Sequence, residues 1–119
     1  MKVNSVNQTL TSHSEFMADR YLTLDGEWSE SWWQFFQRAE NAHFWMMKRN
    51  ISTDGTHIIV NCPLDELQTQ ITHINSYCAT ADKDLLAWEH ENSRMQEYEL
   101  KKAAERQAKA NEVFSNLKF

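Results

Sequence analysis

The chain has 119 residues, 41% hydrophobic and 24% charged, with a net charge of −5, which fits one soluble domain. That charge argues against a surface devoted as a whole to gripping nucleic acid. Two glycines and one proline exclude the glycine-rich phosphate loops of nucleotide-binding folds and predict a mostly helical chain with few tight turns.

The N-terminal stretch is polar, with no apolar run resembling a signal peptide, and no segment approaches the length of a membrane span. A cytoplasmic protein is the expectation, with Cys62 and Cys78 as reduced thiols. Residues 1–11 read as a loose arm or a weak edge strand. From Ser12 or Ser14 as N-cap, Phe16, Met17, Tyr21 and Leu24 fall near one helical face. The reading for 15–24 is therefore a helix, with a strand over Arg20–Leu24 as its rival. Asp25-Gly26 ends the element either way.

Residues 28–47 hold the densest aromatic segment. Trp32, Trp33, Phe35, Phe36 and Ala39 fall on one helical side and Gln34, Gln37, Arg38 and Asn41 on the other, predicting a helix over 29–40 with Ser29 as N-cap. These rings supply core, but two adjacent Trp side chains do not both fit one narrow stripe. One of Trp32 and Trp33, or Trp45, is therefore expected at the surface as a partner-binding anchor. The order Trp33, Phe35, Phe36, Asn41, Phe44, Trp45, Met46 resembles a segment of the ArdB/KlcA antirestriction proteins, with one inserted residue and with Ala42-His43 where that family has two glycines. The resemblance would imply a strand over 32–37; the periodicity of the residues predicts the helix.

Residues 44–51 read as a strand and 56–62 as its partner, joined by the hairpin signal Asp54-Gly55. His57-Ile58-Ile59-Val60 is apolar on both faces and belongs in the centre of a sheet or under cover. A lone hairpin is marginal, so a third strand or a second copy is required. Pro63 opens a helix whose stripe is Leu64, Leu67, Ile71, Ile74 and Cys78, with a soft junction at 79–82.

From Asp82 to Leu117 there is neither Gly nor Pro, which predicts one helix of about 54 Å, too long for a domain with a radius of gyration of about 13 Å. Leu85, Leu86 and Trp88 are expected to anchor its start. Leu100, Ala103, Gln107, Ala110, Phe114 and Leu117 then form a stripe of mostly small residues suited to assembly or partner binding. Charge is sorted along it. Asp84, Glu89, Glu91, Glu97 and Glu99 lie in the first half against Arg94 alone. Lys101, Lys102, Arg106, Lys109 and Lys118 lie in the second against Glu105 and Glu112. That order complements the helix dipole and suits a second copy lying antiparallel.

Chemistry is sparse. Glu40-x-x-His43 occurs once where di-iron bundles need two, and Arg94 replaces the second ligand of a His-Glu-x-x-His site. Of Cys62, Cys78, His57 and His73, Cys78 shares the buried stripe with Ile74 while His73 lies off it, so core thiols and surface histidines are expected. The expectation is no metal, no cofactor and no catalytic residues. The predicted architecture is α+β and mostly helical: a compact 1–81 domain with a small antiparallel sheet packed by helices, then a long helix over 82–119. The predicted function is a non-enzymatic inhibitor or adaptor that binds and modulates a protein partner, of the kind mobile elements encode, acting as a homodimer formed through the hairpin edge, the last helix or both. The alternative is a nucleic-acid-binding regulator contacting phosphates through Lys101, Lys102, Arg106 and Lys109.

Overall fold

A computed structural model describes every residue, Met1–Phe119. It divides into two units, Met1–Leu85 and Leu86–Phe119. The first contains a four-stranded antiparallel sheet in the order β1-β2-β4-β3, from β1 (Val3–Val6), β2 (Ala18–Leu24), β3 (Ile51–Thr53) and β4 (His57–Cys62). Helix α1 (Glu30–Ala42) joins the two hairpins, and a short 3-10 turn (Leu64–Glu66) leads into α2 (Leu67–Ser115). The fold class is α+β, dominated by helix, as the composition predicts.

The core is laid down by strand alternation. Arg20, Leu22 and Leu24 on β2, and Ile58, Val60 and Cys62 on β4, are buried, with Arg20 paired to Val60 and Leu22 to Ile58. Trp32, Trp33 and Phe36 from α1, and Ile74, Tyr77, Cys78 and Ala81 from α2, complete the cluster. β4 is central and apolar, as its composition requires. Asp54-Gly55 makes the β3–β4 turn, with Gly55 at φ 92°, a left-handed conformation that favours glycine.

Four expectations are corrected, and the two readings of residues 1–11 are resolved in favour of the edge strand. Residues 15–24 are not a helix: Ala18–Leu24 is a strand, because the 2-residue period of Arg20, Leu22 and Leu24 finds a partner in β4 and leaves Phe16 and Met17 outside. The arm is an edge strand, with Asn7 N–H extending the contact to the Tyr21 carbonyl at 2.8 Å. Of 44–51 only Ile51 is strand. The chain neither turns nor breaks at 79–82, because Ile74, Cys78, Ala81 and Leu85 keep the 3,4 spacing through the junction and α2 is continuous. Pro63 precedes the 3-10 turn and α2 begins at Leu67.

The predicted aromatic helix forms, capped by Ser29 Oγ accepting from Trp32 N–H at 3.1 Å. The strand implied for 32–37 by the antirestriction resemblance does not form. Both adjacent tryptophans are buried, Trp32 at 1% and Trp33 at 7% exposure. Trp28, just before α1, widens the covered face. Its ring lies 5.1 Å from Trp33 and 6.1 Å from Trp32, while Trp33 stacks on Phe36 at 5.0 Å and 11°.

The Asp54 carboxylate accepts from the Thr56 and His57 N–H groups at 2.9 and 2.7 Å, and Oδ2 contacts His57 Nδ1 at 3.0 Å. The His57 backbone N–H is the main cause that lowers its pKa to about 2. A carboxyl depressed in the folded state stabilises fully above its unfolded value near 4, and that stabilisation fades as pH falls toward 2. The protection factors of the Thr56 and His57 amides, each referred to the intrinsic exchange rate at that pH, are therefore expected to fall over that window. In Asp54→Ala the two amides should already exchange fast at pH 6; equal rates in the variant at pH 6 would contradict the assignment.

Candidate interaction surfaces

In the unit Leu86–Phe119 no residue is buried. Exposure includes Leu100 at 72% and Phe114 at 65%, with Leu86, Met95, Tyr98, Val113 and Leu117 exposed as well. Of the expected assembly residues, Leu100, Ala103, Phe114 and Leu117 are exposed and Ala110 is half-buried. Most helical stability in proteins comes from packing an apolar face, and within this unit no face is packed. A shallow groove of about 500 Å³ runs over it between Asn92, Met95, Gln96, Glu99 and Leu100. Leu85 packs against the core, whereas Leu86 and Trp88 are exposed, which corrects the expectation that all three anchor the helix.

Lys101, Lys102, Arg106 and Lys109 are all exposed. Lys102 Nζ lies 3.7 Å from Glu105 Oε2 and 5.6 Å from the Tyr98 ring centroid. Lys102, Arg106 and Lys109, at i, i+4 and i+7, share one row of the helix.

Within Met1–Leu85, Trp32 and Trp33 belong to the core and are removed from any surface role. Trp45 is half-buried, stacked on His73 at 3.9 Å and 19°. The anchors displayed beside it are Phe44, 89% exposed, and Met46, 97% exposed. They stand on a stretch with no regular structure that is held from several sides. Lys48 Nζ donates to the Glu40 and His43 carbonyls at 2.5 and 2.8 Å, and the buried Gln70 amide donates to the Met47 carbonyl at 2.8 Å. Arg49 closes the segment with a bidentate pair to Glu66 at 2.8 and 2.9 Å, which holds that carboxyl below its ordinary range. His43 Nδ1 and the Tyr77 hydroxyl share a hydrogen bond of 2.8 Å.

A second display surrounds an open groove of about 790 Å³ lined by Glu15, Phe16, Met17, Pro63, Leu64, Asp65 and Glu66. Its wall is shaped by the fully buried Arg20. Its guanidinium donates to the carbonyls of Cys62 at 3.2 Å, Ser14 at 2.6 Å, Phe16 at 2.9 Å and Ser12. Sequence reasoning missed both displays, since a hydropathy pattern assigns Phe, Met and Trp inward and Arg outward.

The chemistry weighed from spacing is dispersed. Cys62 and Cys78 are free thiols in the core, with burial pushing Cys78 up to about 12. His57 serves the turn, His73 stacks on Trp45, and no three His, Cys, Asp or Glu side chains gather to hold a metal ion. No helix is long and apolar enough to cross a membrane. Comparison with protein-family models, curated proteins and solved structures gives no match.

Proposed function

We propose that this chain is a small non-enzymatic interaction protein, acting as a homodimer, that binds and modulates a protein partner in the manner of an inhibitor or adaptor. The observation that carries the reading is the segment Leu86–Phe119, which buries nothing of its own while presenting Leu100, Phe114 and Leu117 to solvent. Leu100, Phe114 and Leu117 recur with Ala103 and Ala110 at the 3,4 spacing of an association seam. The fixed display of Phe44 and Met46 supplies a second surface, because a pinned loop loses little entropy on binding. The mobile-element setting is an analogy with small acidic, aromatic-rich inhibitors.

Light scattering on the full chain and on a truncation ending at Leu100 tests it. A dimer for the full chain and a monomer for the truncation is expected; monomers for both at high micromolar concentration would remove the assembly reading.

A nucleic-acid-binding regulator is the second reading, favoured by the row of Lys102, Arg106 and Lys109 with Lys101 nearby. It requires duplex DNA binding that weakens steeply with salt and disappears when the four cations are changed to Gln. No binding at low salt removes it.

A further inference from the structure

We infer that Leu86–Phe119 pairs antiparallel with the same segment of a second copy, about a dyad between Lys101 and Lys102. The inference rests on the homodimer reading above and specifies its surface, polarity and register. Between Leu86 and Leu100, Glu89, Glu91, Glu97 and Glu99 outweigh Arg94 by three negative charges. Between Lys101 and Phe119, Lys101, Lys102, Arg106, Lys109 and Lys118 outweigh Glu105 and Glu112 by three positive charges. Parallel pairing sets like against like along the whole length. Antiparallel pairing sets each acidic half against a basic half, and the segment carries its own complement.

The apolar pattern restricts the register to steps of one heptad, and the charge complement selects the one centred between Lys101 and Lys102. Leu100, Gln107 and Phe114 occupy one core position of a heptad and Gln96, Ala103, Ala110 and Leu117 the other. In an antiparallel pair these two positions face each other. Leu100 then lies over Ala103, whose small side chain admits close approach, and Gln96 meets Gln107 in a polar layer that favours one register. The flanking positions bring Glu99 opposite Arg106, twice by symmetry. The groove between Asn92, Met95, Gln96, Glu99 and Leu100 is where this register seats Ala103, Arg106 and Gln107 of the second copy.

Ala104 and Asn111 share one heptad position flanking the core, so nitroxides at Ala104→Cys and, separately, Asn111→Cys in the full chain distinguish the arrangements. The native Cys62 and Cys78 stay in place, fully buried. In the antiparallel dimer the axial separation is about 8 Å for the Ala104 labels and about 28 Å for the Asn111 labels, at 1.5 Å per residue. Expected are strong dipolar broadening at 104 and a pulsed-EPR distance near 30 Å at 111. Equal short distances at both sites mean a parallel pair and overturn the inference while the homodimer stands. A dimer by light scattering with no coupling at either site does the same. A monomer throughout overturns both. As a check independent of labels, Glu99→Arg should weaken dimerisation at least tenfold, and adding Arg106→Glu should restore it to within about threefold; no restoration overturns the register.

Discussion

Replacing Arg20 with Ala is expected to destabilise the Met1–Leu85 unit by about 3 kcal/mol or more, because one buried guanidinium serves four carbonyls. With it gone, the carbonyls of Ser12, Ser14 and Phe16 lose their shared donor and Cys62, at the end of a central strand, faces an empty site. Water can reach the outer three once the loop opens, so the cost is split between lost stability and lost loop order. Arg20→Lys is expected to recover only part, since one ammonium does not span a forked set of acceptors. Thermal melts measure the first effect, and amide exchange at residues 12–17 the second. A melting temperature within a degree or two of the parent for Arg20→Ala would show that the fork contributes nothing.

The second large effect is at Trp32. Its ring sits 5.4 Å from Phe36 and 6.1 Å from Trp28, and its Nε1–H donates to Asp82 Oδ1 at 2.8 Å, while Asp82 Oδ2 takes the Met1 ammonium. One residue thus ties α1 both to the aromatic layer and to α2. Trp32→Ala removes the volume and the hydrogen bond together, at an expected cost of about 3–5 kcal/mol. Trp32→Phe keeps most of the ring packing and leaves Asp82 with the Met1 ammonium, so its cost should be smaller, about 1–2 kcal/mol. Denaturant titration of both variants separates the two contributions. Equal costs for Ala and Phe would mean the indole N–H, not the packing, dominates.

Much of the fold was legible where local signals and long-range packing agree. The Ser29 cap, the aromatic period of α1, the Asp54-Gly55 turn and the Leu67–Cys78 stripe each point to the element that forms. The misreadings share a cause. Tyr21 and Leu24 lie at helical spacing from Phe16 and Met17, yet they work in a strand whose inward row begins with an arginine. Nothing near Arg20 in sequence announces that it will be satisfied by carbonyls brought together by the loop and by β4. Phe44–Met47 looks like a buried strand because its side chains are apolar. Its conformation is set by Lys48, Gln70 and His73, two of them on a helix more than twenty residues away. Trp33 is buried because Trp28 covers it, a contact that α1's own periodicity does not contain. The C-terminal segment was legible as a helix with sorted charge, since those properties are local to it.

The proposed dimer would hold the segment 86–115 through association with a second copy. Amide hydrogen exchange measured at several protein concentrations tests it directly, since the backbone hydrogen bonds of a segment with no buried residues depend on whatever covers it. Protection across residues 86–115 is expected to rise with concentration, while protection in Ala18–Leu24 and His57–Cys62 stays constant. Protection of 86–115 that is independent of concentration, in a chain that stays monomeric, would contradict the proposed dimer.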